Sequence, residues 1–205
     1  MSRYNRPDNE WTVALLEIST RDAILEVGFG PGQAVELAAR KATEGLIAGV
    51  DHSAEMVAAA SRPNKIGIAS GQIDLRVGTV MELPYRDSLF DKAFSINCIY
   101  FWENPVAGLR ELHRVLKPQG RLAITVRESE RSVYQAFMPE KLSELLKQAG
   151  FRSIELHRNG DPSHPLACAI GVNEKDCPTR RSSRPSCLRF ATARRRLSLG
   201  VEAVE

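Results

Sequence analysis

The chain has 205 residues, 43% of them hydrophobic, which is enough for one well-packed core and short for two full domains. It holds no apolar window of about 18 residues, and its opening stretch MSRYNRPDNEW carries no apolar leader signal, so a soluble, cytoplasmic protein without a transmembrane segment is expected. The net charge of +3 is concentrated in residues 174–205, which hold eight Lys or Arg against four Asp or Glu; residues 1–173 carry 20 basic and 21 acidic groups, which gives no support to a nucleic-acid-binding face on the folded part.

Residues 1–9 are polar and expected to be mobile, whereas Glu10 to Ser19 places Trp11, Leu15 and Ile18 at helical spacing and predicts a short helix leaning on the domain. Ala23 to Val27 (AILEV) reads as a strand buried on both faces, and Gly28, Gly30 and Gly32 stop it in a tight turn. Gln33 to Glu44 is rich in helix formers, with Ala34, Leu37 and Ala38 along one side. A strand, a glycine turn and a helix make a cradle in which backbone can approach a ligand closely and free N–H groups face it.

Leu46 to Asp51 is a second parallel strand that ends on an acid. Ser53 caps the following helix, which carries Met56, Val57 and Ala60 on one face and stops at Pro63 and Asn64. Ile73 to Gly78 alternates apolar and polar residues as an edge strand does, and Leu83 to Asp91 is turn-rich. Lys92 to Ile99 supplies a fourth strand. Asn104 caps and Pro105 opens a helix through Leu116, and Gln119-Gly120 turns into a fifth strand, Arg121 to Val126. A helix from Pro139 to Gly150 precedes Ser153 to His157 and Leu166 to Val172, which have no helix between them and therefore form an antiparallel hairpin. The expected fold class is α/β: a doubly wound, seven-stranded, mostly parallel sheet with helices on both faces and an antiparallel C-terminal hairpin. From Glu174 onward the Arg, Ser and Pro content without apolar period predicts a basic, disordered tail. Cys98, Cys168, Cys177 and Cys187 show no close C-x-x-C pair, so reduced thiols and no structural metal are expected.

The glycine turn is sharpened by its neighbours. Its spacing is G-x-G-x-G with Gln33 where a dinucleotide fingerprint places its third glycine, Glu26 stands two residues before the first glycine, and Asp51 ends the next strand. These features point away from NAD, and the lack of a following G-K-[ST] excludes a triphosphate P-loop. The sequence resembles the class I S-adenosylmethionine-dependent methyltransferases, particularly the small-molecule, methyltransferase type 11-like branch that includes quinone- and sterol-methylating enzymes. The resemblance covers roughly residues 20–173 and rests on ILEVGFGPG (24–32), GVDHSAEM (49–56), VGTVMELPY (77–85) with SLFDKAFS (88–95), and ELHRVLKPQGRL (111–122).

The resemblance implies an S-adenosylmethionine-binding methyltransferase domain over 23–173, between the N-terminal segment with its short helix over 1–22 and the basic tail over 174–205 that composition marks off. It implies that Gly28, Gly30 and Gly32 wrap the methionine end of the cofactor and that Glu26 sits near its ammonium. Asp51 would accept the ribose hydroxyls, the alternative being an ordinary helix-capping aspartate. His52, inside the second block, is counted with the cofactor-binding residues. Met56 would pack on adenine or else in the core, and the segment Thr79-Val80-Met81 would line the adenine edge, Thr79 standing where many relatives carry an acid. Asn97 would lie near the reacting end of the cofactor or else serve as a strand-end turn residue. Tyr100, Phe101 and Trp102 would line an acceptor pocket or pack under a loop.

No general base is assigned: His113 sits mid-helix in a family structural block, and His157 and His164 flank the hairpin connection. Gln119 replaces a common family glycine. The expected activity is methyl transfer to a small or medium organic acceptor. The alternatives are a non-catalytic, cofactor-binding regulatory protein and an NAD(P)-dependent oxidoreductase.

Overall fold

The computed structural model describes residues 6–129 and 132–174. Helix α1 (Arg6–Leu15) precedes β1 (Ala23–Val27), and the glycine turn leads into α2 (Gln33–Lys41). Then come β2 (Leu46–Asp51), α3 (Ala54–Ser61), the short α4 (Lys65–Ala69) and β3 (Ile73–Val77). The second half runs β4 (Phe90–Ile96), a 3-10 turn (Ile99–Phe101), α5 (Pro105–Val115), β5 (Leu116–Arg127), α6 (Ser132–Gln135), α7 (Pro139–Gln148), β6 (Arg152–Arg158) and β7 (Leu166–Val172). The sheet order is β3-β2-β1-β4-β5-β7-β6. The first five strands are mutually parallel, and β7 runs antiparallel to both β5 and β6. This is the doubly wound mixed sheet expected from the alternation of strand and helix.

Period-two alternation along the buried strands sends side chains to two cores. On one face Leu25, Val27, Val50, Leu122 and Ile124 pack with Leu109 and Leu112 of α5 and Leu142 and Leu146 of α7. On the other, Ile24, Ile47, Phe94 and Ala123 pack with Val13 of α1 and Val35 and Ala38 of α2. Glu26 shares the second face with Ile24 and so points beneath α2. Winding reverses between β1 and β4, and the carboxyl ends of the strands there form the crevice in which open α/β sheets bind ligands.

The structure departs from the sequence reading at several points, the short α6 among them. Residues 6–9, expected to be mobile, form the first turn of α1, which begins four residues before Glu10 and ends at Leu15. The buried residues of that turn are Asp8 and Asn9, held by hydrogen bonds rather than by apolar packing, so no hydrophobic period marks them. Pro63 and Asn64 end α3 as expected, but α4 forms beyond them. β4 stops at Ile96, because Asn97 adopts a left-handed φ of 51°. β5 starts at Leu116, and its pairing jumps from Phe90↔Leu116 to Lys92↔Arg121, so the expected Gln119-Gly120 turn is an excursion within one strand. The predicted tail lies outside the described residues beyond Glu174.

Candidate active site

A cavity of about 250 Å³ opens at the carboxyl ends of β1, β2 and β3. Gly28, Asp51, His52, Thr79 and Val80 line it, joined by Met81, Cys98, Phe101, Trp102 and Glu103. Its volume lies just below the usual range for small-molecule pockets, about 300–1,000 Å³, and its walls divide by chemistry into a carboxylate end and an apolar slot. Asp51 is 5% exposed. Its Oδ2 accepts the Gly30 N–H at 2.9 Å and its Oδ1 accepts the Ser53 N–H at 3.0 Å, which fixes the carboxylate while leaving lone pairs for a ligand. The His52 ring is exposed, with Nδ1 3.5 Å from Asp51 Oδ1.

The apolar slot is built on α5. A Cβ at Gly108 of that helix would stand 2.9 Å from both Trp102 Cε3 and Val80 Cγ1, so only glycine lets these two walls close on the helix. The segment carrying Thr79 to Met81 is then tied down from α5. Arg114 donates to the carbonyls of Tyr85 (2.8 Å) and Leu83 (3.1 Å) and pairs with Asp87 and Glu111, while Glu111 accepts the Leu83 N–H at 3.1 Å. Hydrogen bonding to Arg114 holds the Glu111 carboxyl below its ordinary range. Thr79 is exposed, and its Oγ1 accepts the Met81 N–H at 3.2 Å.

Behind the cavity the glycine turn has positive φ at Gly28, Gly30 and Gly32. Gly28 admits no side chain, since a Cβ there would collide with Cys98 Sγ. Glu26 lies under the turn, 3% exposed. It accepts the Val35 N–H, its Oε2 has no hydrogen-bond partner, and burial followed by the Asp51 charge pushes its pKa well up. A buried carboxyl oxygen left unpaired calls for an explanation, and a cationic or N–H-bearing ligand supplies one.

Glu26, Gly30, Gly32, Met56 and Asn97 do not line the cavity. Gly30 contributes through its bond to Asp51, Gly32 is buried and hands its carbonyl to Asn64 Nδ2 at 3.2 Å, and Met56 sits half-buried on α3. Asn97 turns toward α1, donating to Asp8 Oδ2 at 2.7 Å and accepting from the Tyr100 hydroxyl at 2.7 Å. The aromatic run divides: Phe101 and Trp102 stand on the same cavity as Asp51, whereas Tyr100 packs edge-on against Tyr134 and Phe137. His113 stacks edge-on against Phe151 at 5.1 Å, away from the cavity, as a structural residue does.

This donor and acceptor set fits a nucleoside bearing a free ammonium. Asp51 offers carboxylate acceptors on the same cavity as the apolar Val80, Met81 and Trp102, and Glu26, two residues before Gly28, keeps an orphan oxygen. Two buried carboxylates here disfavour the pyrophosphate of a dinucleotide. The chain is 31% identical over 176 residues to YdaC, an uncharacterised methyltransferase of Bacillus subtilis (strain 168), covering 82% of this chain and 93% of that protein. The family model for a methyltransferase domain matches residues 25–124. The chain belongs to the class I S-adenosylmethionine-dependent methyltransferases.

The methyltransferase is also 34% identical over 124 residues to the ubiquinone/menaquinone biosynthesis C-methyltransferase UbiE of Geotalea daltonii (strain DSM 22248 / JCM 15807 / FRC-32), covering 57% of this chain and 52% of that one. Its fold matches a SAM-dependent methyltransferase from Aquifex aeolicus with a TM-score of 0.69 at 20% identity, over 80% of this chain and 89% of the other. S-Adenosylmethionine is its cofactor, and the oxidoreductase alternative falls with the family. Among the described residues no helix is long and apolar enough to cross a membrane, and no group of three metal-binding side chains occurs.

Cys98 and Glu103 line the cavity without having been expected there, and Phe101 and Trp102, expected at an acceptor pocket or under a loop, stand on the same cavity as Asp51. Their signal was available only in part. The aromatic run after β4 marked a ligand edge, but sequence alone does not show that the 3-10 turn folds it back over β2 and β3.

Proposed function

We propose that the methyltransferase binds S-adenosylmethionine along the carboxyl ends of β1 to β4 and methylates a small or medium organic acceptor. The observation that carries the placement is the Asp51 carboxylate, held by two backbone N–H groups at one end of an apolar slot. Asp51 takes the ribose hydroxyls, with the exposed His52 beside them. Val80 packs on the adenine between Met81 and Trp102, and Thr79 borders its polar edge. Met56, outside the cavity, serves the packing of α3. Gly28, Gly30 and Gly32 bring backbone to the methionine portion, and the free oxygen of Glu26 receives the ammonium.

The bound cofactor supplies a methyl group on a sulfonium that leaves as a neutral thioether, so the reaction needs an in-line acceptor and no covalent enzyme intermediate. What this chain must do is orient and exclude water, and Asn97 stands where the acceptor side begins. The similarity to a quinone-pathway C-methyltransferase supports an organic acceptor of modest size.

Calorimetric titration with S-adenosylhomocysteine tests the placement. Wild type should bind saturably and Asp51→Ala should bind at least about tenfold more weakly, the worth of charge-assisted hydrogen bonds. Unchanged affinity in the variant overturns the ribose role. A panel of quinols, phenols and amines with methyl-labelled cofactor then tests the acceptor class, and label transfer to none of them overturns it.

A further inference from the structure

Helix α1 packs against α2 and against β4 and β5 of the sheet. Its Asp8 is 1% exposed. Asp8 Oδ2 takes a hydrogen bond from Asn97 Nδ2 at 2.7 Å and an ion pair from Arg127 Nη2 at 3.0 Å. Asn97 precedes Cys98, a wall of the cofactor cavity, and Arg127 is the last residue of β5. The helix is fastened at both sides of this point. Thr12 Oγ1 lies 2.7 Å from Thr125 Oγ1 under the helix, and Asn9 Nδ2 donates to Gln33 Oε1 at 3.4 Å, at the residue that follows the glycine turn. Asp8 is thus suspended between the methionine side of the cofactor site and the ends of β4 and β5.

The two members of the ion pair are not equivalent. Asp8 is enclosed and held by a neutral amide that stays with β4. The Arg127 side chain is 37% exposed, and its buried Nε has no hydrogen-bond partner among the described residues. A guanidinium that satisfies one N–H on a carboxylate and leaves another desolvated and unmade is a poor permanent partner. A ligand donor reaching the same oxygen lets Arg127 return to solvent.

We propose that Asp8 is the acceptor-binding residue of this methyltransferase, receiving an N–H or O–H of the methyl acceptor in place of Arg127. The inference rests on the cofactor placement proposed above. It defines the acceptor as a molecule with an amine or hydroxyl close to the atom that is methylated. The Tyr100 hydroxyl, fixed on Asn97 Oδ1, keeps the amide of Asn97 turned with its N–H toward Asp8. An acceptor without such a donor leaves the Asp8–Arg127 pair intact.

The test needs no knowledge of the acceptor. Sinefungin, in which an amine-bearing carbon replaces the sulfonium and its methyl, places an ammonium where the methyl is presented; S-adenosylhomocysteine has nothing there. Calorimetry on wild type should show sinefungin favoured by about tenfold, the scale of a hydrogen bond between charged groups. Asp8→Asn, nearly isosteric, should abolish that preference while keeping S-adenosylhomocysteine affinity within about threefold, a split that loss of structure does not produce. Arg127→Gln should enlarge the preference by removing the competing cation, and it decides the matter if Asp8→Asn fails to fold. Equal binding of the two ligands by wild type, a preference that survives in Asp8→Asn, or a preference that shrinks in Arg127→Gln overturns the inference while leaving the cofactor placement intact. Binding of neither ligand overturns the placement itself, and this inference with it.

Discussion

Burial, and after it the Asp51 charge, keeps Glu26 protonated beyond the ordinary carboxyl value of 4.5. The folded chain then holds a proton that the unfolded chain has released, so this group favours the folded state below the unfolded value and loses that contribution as pH climbs through the raised folded one. Thermal melts of wild type and Glu26→Gln at about pH 5 and about pH 8 should show the substitution gaining more at the higher pH; a constant difference contradicts the assignment. Cofactor binding should carry the opposite sign, because an ammonium beside Glu26 favours its ionised form. Between about pH 5 and about pH 7, where the ligand's own amine stays charged, S-adenosylhomocysteine affinity should rise with pH in wild type and stay flat in Glu26→Gln. Gly28→Ala, forced to positive φ with its methyl against Cys98, should lower denaturant-measured stability by about 2–4 kcal/mol. The places of Gly28 and Asp51 on the cavity wall were legible in the sequence because both follow from where a buried strand ends. Asp8 was not, since its partners Asn97 and Arg127 lie 89 and 119 residues away and polar burial leaves no periodic trace.

At the scale of elements, α5 acts as the post to which the cavity wall at Thr79 to Met81 is tied. Arg114→Met removes the hydrogen bonds to Leu83, Tyr85, Asp87 and Glu111, leaving two carbonyls and two carboxylates without this donor. It should weaken S-adenosylhomocysteine binding as well as lower stability by about 1–3 kcal/mol; a stability loss with affinity unchanged separates the latch from the cavity. The excursion in β5 makes a second element-scale prediction. Gln119 holds φ 64° while its N–H donates to the Asn173 carbonyl at 2.7 Å. Gln119→Gly keeps that bond, relieves the left-handed strain and should raise stability by about 0.5–1 kcal/mol in chemical denaturation. Strands were readable from their apolar runs and α2, α5 and α7 from their formers and caps. The start of α1 and the existence of α4 were not, one being anchored by polar contacts and the other too short to show a period.

Across the molecule, the described fold closes with β7 and Asn173. The Asn173 side chain, fully buried, donates to the carbonyls of His113 (3.1 Å) and Leu116 (2.8 Å), and its backbone pairs with Gln119 and Gly120. A chain ended after Glu174 should therefore keep its melting temperature within about 2 °C, whereas one ended after Gly171 should lose about 5 °C or more, as scanning calorimetry would show. The doubly wound class followed from the alternation of strand and helix and the antiparallel hairpin from the missing helix between its strands, whereas the strand order came from the structure.

That hairpin also sets an order in time. β5 pairs with β4 on one edge, and its other edge waits for residues 166–172, the last strand to be made among the described residues. A growing chain can join β1 to β2 and β4, and so shape the cofactor cradle, while β5 still shows an open row of backbone groups to the cell and β6 has no neighbour at all. The interval between those events is the period in which a nascent chain is most exposed to pairing with another copy of itself, and translation speed between β5 and β7 governs its length.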